Sequence, residues 1–122
     1  MLTLKDMMSA ANAAVPKIDA EMAQQMVAAG ALLLDIRDAA EVANTGTASG
    51  AVHVSRGLLE FAADPDSPMH NKEFQRERPV VIFCASGGRA ALAGKLLKDM
   101  GYANVVNMGG FKDWVEAGGA TG

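Results

Sequence analysis

Cysteine is nearly absent: Cys84 is the only one in 122 residues. No disulfide framework can form within the chain, which fits a reducing compartment. Histidine is almost as scarce, and His53 and His70 share no metal-ligand spacing with each other or with Cys84, so no zinc site and no other metal is expected. Basic residues number 11 against 14 acidic ones, and the net charge is −3. No two basic residues are adjacent. These features exclude nucleic acid and anionic membrane surfaces as main partners. No stretch approaches the roughly 20 apolar residues of a membrane span. Lys5 and Asp6 stand where a secretory signal would carry its apolar core. A cytoplasmic location is the resulting expectation. What is present is apolar residue in quantity, half of the chain, enough for one compact domain.

Leu4, Met7, Met8, Ala11 and Val15 recur at helical spacing, which predicts an amphipathic helix over residues 3–15 that Pro16 stops. Asp19 is placed to cap a second helix ending at Gly30, with Met22, Met26 and Val27 as its buried stripe. The eight methionines fit core faces better than a metal or heme site. Strands are expected at 31–36, 51–55, 79–83 and 104–108. Helical segments are expected at 38–44, 57–63, 88–100 and 111–117, with a brief polar helix at 73–77. The organisation is an N-terminal helix (1–16), a main domain (17–117) and a disordered tail (118–122). Short apolar strands alternating with helices imply an α/β parallel sheet covered by helices. Ligands bind such sheets at the carboxyl ends of the strands.

Cys84 lies at such an end. Val80 to Phe83 is the most strand-like segment of the chain, and Ala85, Ser86, Gly87, Gly88 and Arg89 come directly after the cysteine. Two glycines allow the backbone to curl so that successive N–H groups point into one concavity. The next helix adds its unpaired N–H groups and the positive end of its dipole. Ser86 brings a hydroxyl donor and Arg89 a permanent cation. Together these favour a thiolate at Cys84. A lone strand-end cysteine is also a common small core residue. A glycine pair, a serine and an arginine within five positions are what favour the nucleophile over that reading.

Four separated motifs resemble the single-domain rhodanese-homology family over residues 18–117. They are Leu33-Leu34-Asp35-Ile36-Arg37 with Glu41, the segment from Gly46 to Ala51, the loop from Phe83 to Ala90, and the stretch from Gly101 through Gly109-Gly110-Phe111 to Trp114. The resemblance implies a rhodanese-like doubly wound parallel sheet of about five strands, flanked by helices on both faces. It implies a sulfurtransferase in which Cys84 carries sulfur as a persulfide, with Arg89 as its catalytic partner and Ala85, Ser86, Gly87 and Gly88 lining the substrate pocket. Partners would be a small anionic sulfur donor such as thiosulfate or polysulfide, and a thiol or cyanide acceptor; no cofactor is implied.

The stretch Arg56 to Phe61 with Asp64-Pro65 and Ser67-Pro68 is similar to the polysulfide-sulfurtransferase branch, which would turn Arg56 toward the pocket. Pairing of Arg56 with Glu60 at helical spacing is equally compatible with the sequence. Asp35 is a supporting residue that orients the pocket or caps the following turn, and Arg37 with Glu41 reads as a structural ion pair. Trp114 reads as a core anchor.

Two departures stand out. Ala85 occupies a position that is often basic in the family, and Thr47 and Ser49 replace the histidine and proline of the usual Gly-His-Ile-Pro segment. Four residues separate Cys84 from Arg89, a loop length that resembles the sulfur-transferring members. Related dual-specificity phosphatases of the cell-cycle type carry one residue more. The competing readings are a non-catalytic interaction module and, further off, a phosphatase-like or arsenate-reducing enzyme. The first helix lies outside the resemblance and could pack on a second copy to form a homodimer.

Overall fold

The computed structural model describes all 122 residues. Helix α1 (Leu4–Ala14) begins at a capping box: the Thr3 hydroxyl accepts from the Asp6 amide, and the Thr3 amide donates to Asp6. Helix α2 (Ala20–Ala28) is capped by Asp19, which accepts from the Met22 amide at 2.8 Å. The rest of the chain alternates strand and helix. Strand β1 (Leu32–Asp35) leads through α3 (Ala39–Thr45) to β2 (Val52–His53), and a 3-10 turn at Arg56–Leu58 runs into α4 (Leu59–Ala63). Strand β3 (Val80–Cys84), α5 (Gly88–Asp99), β4 (Val105–Gly110) and α6 (Phe111–Glu116) complete the fold. No helix is long and apolar enough to cross a membrane.

The sheet is parallel throughout, in the order β2-β1-β3-β4. It holds four strands, one fewer than the family resemblance implies. A fifth segment reaches the β4 edge only as a parallel bridge between Lys17 and Asn107, because Pro16 has no N–H with which to extend a ladder. From β1 the chain steps outward to β2, then crosses back past β1 to β3. The order of connection therefore reverses between β1 and β3, and the carboxyl ends of these two strands flank the crevice where parallel sheets place their ligands.

Side chains alternate across the sheet and sort into two cores. Leu32, Leu34, Val80, Ile82 and Cys84 face a layer built by Val15, Leu59, Ala90, Ala93 and Leu97. Leu33, Val81, Phe83 and Val106 face Ala20, Ala23 and Trp114 on the other side.

Three expectations fail. The expected stripes are buried only in part: Ala11 and Val15 are buried and Met26 and Val27 pack against the core, but Leu4, Met7 and Met22 are exposed, and α2 buries Ala20 and Ala23. Small residues win because the helices lie close to their neighbours, and Val15 seats against Gly94 of α5. Residues 73–77 form turns, since Phe74 is drawn into the core against Tyr102 and the arginines beyond it bond backbone carbonyls. The tail expected to be disordered is held. Ser49 donates to the Ala120 carbonyl, Gly122 donates to the Thr47 carbonyl, and the Trp114 indole donates to Ala120 at 2.8 Å.

A Cβ at Gly94 would lie 2.9 Å from both methyl groups of Val15. Gly94→Val therefore overpacks the α1–α5 contact and is expected to lower stability by about 1–3 kcal/mol, read from urea unfolding midpoints.

Candidate active site

The period-2 alternation of β3 turns the Cys84 side chain toward α5, with Val80 and Ile82 beneath it. The residue is only 1 % exposed. The chain then folds over the sulfur, and the Gly87 amide donates to Cys84 Sγ at 3.0 Å. This turn needs glycine: Gly87 has φ +102°, and a Cβ there would meet Gly109 Cα at 3.2 Å. Helix α5 starts at Gly88 with no side chain capping it. The amides of Ala85, Ser86, Arg89 and Ala90 donate to no other group of the protein. The loop therefore carries free N–H groups at the positive end of a 12-residue helix, next to a thiol.

Strand β4 braces this loop from behind. Asn107, buried within an otherwise apolar strand, donates from Nδ2 to the Gly87 carbonyl at 3.0 Å and accepts from the Gly109 amide at 2.8 Å. A Cβ at Gly110 would overlap the Ala85 carbonyl, so only glycine lets β4 approach so closely. Sequence reasoning did not single out Asn107. The signal that could have found it is a polar side chain in a strand buried on both faces, where it must find partners.

The charged residues are arranged differently from expectation. Arg37 and Glu41 do not pair, because Arg37 precedes α3 and the two do not share a helix face. Arg37 folds back onto Asp35, donating through Nε and Nη2 to both carboxylate oxygens, and also reaches Thr45 and the Gly46 carbonyl. Its guanidinium carbon stands 4.6 Å from the centre of the Phe111 ring. Asp35 also accepts from the Arg37 amide and from the Thr47 hydroxyl. Burial pushes the Asp35 carboxyl up, but these hydrogen bonds outweigh it and hold it below its ordinary value.

Glu41 turns instead to Arg89, accepting two hydrogen bonds from its guanidinium at 2.6 and 2.9 Å. That fork, helped by the Asp38 amide, lowers the Glu41 carboxyl to about 2. In return Glu41 raises the Arg89 guanidinium above its already high value, against opposition from burial and with smaller contributions from Cys84 and Asp38.

Arg56 lies apart from this group. It pairs with Glu60 at 3.0 Å and lines a groove between α1 and α5 with Leu2, Met7 and Leu92. His53 lies 2.7 Å from the Arg37 carbonyl, and His70 lies 3.3 Å from that of Phe74.

The strand-end thiol thus lies beneath a loop of free amides, at the crevice of a parallel α/β sheet. Residues 19–117 match the family model of the rhodanese-like domain, and the chain belongs to that family. It is 35% identical over 107 residues to a sulfurtransferase of Allochromatium vinosum, covering 85% of this chain and 92% of that one. Its structure resembles the polysulfide-sulfur transferase homodimer of Wolinella succinogenes, with TM-score 0.75, 32% identity and coverage of 96% and 85%. A Rhodopseudomonas palustris protein of unknown function, described as a possible tyrosine phosphatase, is similar over the whole chain, with TM-score 0.89, 35% identity and coverage of 100% and 96%. The family and its sulfurtransferase members support sulfurtransferase activity in general for this chain.

The bracing can be tested at two points. Asn107→Ala leaves the Gly87 carbonyl and the Gly109 amide without their partner, and should cost about 1–3 kcal/mol in urea unfolding. Because Glu41 is more acidic folded than unfolded, the Arg89 pair contributes stability above about pH 4.5, which is lost as pH falls toward about 2. Glu41→Gln should therefore flatten the acid side of the stability-versus-pH curve, and an unchanged curve would refute the assignment.

Proposed function

We propose that the protein transfers a sulfane sulfur from thiosulfate or polysulfide to a thiol or to cyanide, with Cys84 carrying the sulfur as a persulfide. The observation that supports this most directly is the Cys84 sulfur itself, seated beneath the Gly87 N–H in a six-residue loop that closes at Arg89. In the first step the Cys84 thiolate attacks the outer sulfur of thiosulfate. A new S–S bond forms at Sγ, the S–S bond of the donor breaks, and sulfite leaves with the electron pair. The persulfide's negative charge then lies among the free amides of Ala85, Ser86, Arg89 and Ala90, which act as an oxyanion hole does for oxygen. In the second step a thiolate or cyanide takes the outer sulfur and restores the Cys84 thiolate. No metal and no organic cofactor enters this covalent cycle.

Arg89 serves this chemistry as a positioning residue. Its guanidinium is occupied by Glu41, so it ties α3 to the start of α5 and keeps the loop closed over the sulfur. This arrangement also weighs against phosphatase chemistry, which would need the guanidinium free to grip a phosphate from a longer loop. Because Cys84 is almost wholly covered, a slim donor that presents one terminal sulfur suits the site better than a bulky one. Arg56, paired with Glu60 and away from the loop, would assist a donor only by leaving that exposed pair.

Intact mass after incubation with thiosulfate or polysulfide is expected to rise by about one sulfur, roughly 32 Da, and to fall back with cyanide. Cys84→Ser should show no gain. No adduct with either donor, together with hydrolysis of p-nitrophenyl phosphate, would replace this reading with the phosphatase one.

A further inference from the structure

The glycine pair that lets the loop fold over Cys84 also loosens it. With no Cβ on Gly87 or Gly88, sterics leave the peptide plane between them free to turn. Its orientation matters, because a trans peptide points its C=O and its N–H in opposite directions. The Gly87 carbonyl is aimed along α5, where the Ala91 amide donates to it at 3.0 Å. The Gly88 N–H therefore points out of the amino end of the helix, and it donates to no group of the protein. In the chain it directly follows the Gly87 N–H that holds Cys84 Sγ.

One side chain outside the loop fixes this plane. Asn107 Nδ2 donates to the Gly87 carbonyl at 3.0 Å, and Asn107 Oδ1 accepts from the Gly109 amide at 2.8 Å. Only one orientation of the carboxamide satisfies both partners, so its donor stays toward Gly87. The strand register sets up this contact. Ile82 pairs with Asn107 but Phe83 with Gly109, a bulge of the kind that re-aims a side chain. The Asn107 backbone is clamped as well: its amide donates to the Pro16 carbonyl at 2.9 Å, and its carbonyl accepts from Ile18 at 3.0 Å. Packing alone would be served by leucine at this buried position, without a polar group to satisfy.

We propose that Asn107 is a positioning residue for the sulfur-transfer chemistry, holding the Gly87–Gly88 peptide so that the Gly88 N–H faces the charge of the persulfide. The proposal rests on the persulfide cycle above and assigns part of the loop's hold on charge to a side chain of another strand. In the loading step the bond from Sγ to the outer sulfur forms, the S–S bond of thiosulfate breaks, and sulfite leaves with the electron pair. The negative charge of the protein then resides on the outer sulfur. A turned peptide would present the Gly87 carbonyl to that charge in place of an N–H.

The test is the equilibrium between Cys84 thiolate with thiosulfate and Cys84 persulfide with sulfite, read by intact mass in mixtures of the two anions. At a fixed thiosulfate-to-sulfite ratio, Asn107→Ala should lower the persulfide-to-thiol ratio about tenfold, the scale of one charge-assisted hydrogen bond no longer held in place. A role confined to stability would leave this ratio unchanged in the folded protein. Adding Gly88→Ala to Asn107→Ala should recover most of the loss. A turned plane needs positive φ at residue 88, which alanine disfavours, and a Cβ there meets nothing within 4 Å. Asn107→Ser, too short to span both partners, gives the same reading should Asn107→Ala not fold. An unchanged ratio in the folded single variant, or no recovery in the double variant, would overturn the proposal. Failure of the wild-type protein to gain a sulfur from thiosulfate would instead defeat the persulfide cycle itself, and this inference with it.

Discussion

Strand β3 is paired along both edges and buried on both faces, and the position of the sulfur depends on that confinement. A central parallel strand cannot shift without breaking two ladders at once. Cys84 is its last residue, so the sulfur is the fixed end of a rigid element while the next five residues turn away. The path of those five is shaped by close approach. Gly110 lets β4 run against the Ala85 carbonyl, and Asn107 ties Gly87 to Gly109. The amides of the loop are thus oriented by the sheet, not by side chains within the loop itself.

The arginines around the site are committed to carboxylates. Arg37 is held by Asp35, Arg89 by Glu41 and Arg56 by Glu60. Three guanidiniums that could have made a cationic mouth are instead fasteners. Asp35–Arg37 holds the turn after β1, and Glu41–Arg89 holds α3 to α5 across the crevice. The positive potential of the loop therefore comes chiefly from backbone dipoles, which are already oriented. Ala85 fits this pattern, since a basic side chain there would add charge that the backbone already supplies.

Much of the architecture is legible in residue order. The four strands sit within a residue or two of where apolar runs bounded by glycine, proline and charge place them, and the cap at Asp19 is plain. The strand-loop-helix around Cys84 is legible because each of its residue types has a local reason to be there. The errors share a cause. Met7 and Met22 have the right spacing for buried stripes, but spacing does not say how near the neighbouring helix lies. On α1 the stripe is buried only at Ala11 and Val15, where α5 presents Gly94, and on α2 Ala20 and Ala23 take the buried positions on the other face of the sheet. Residues 118–122 look like a tail by composition, and they are held only because Trp114 and the 46–50 segment offer partners.

Residue order alone is enough to set the alternation of strand and helix, the end of the strand on which the thiol sits, and the glycines that let the loop fold over it. Those features come from local propensity and period, which act over a few residues. Which carboxylate each arginine holds and the bracing of the loop by Asn107 from another strand are settled only in the assembled fold. They depend on groups far apart in the chain meeting at a few ångströms, and no pattern of nearby residues encodes such a distance.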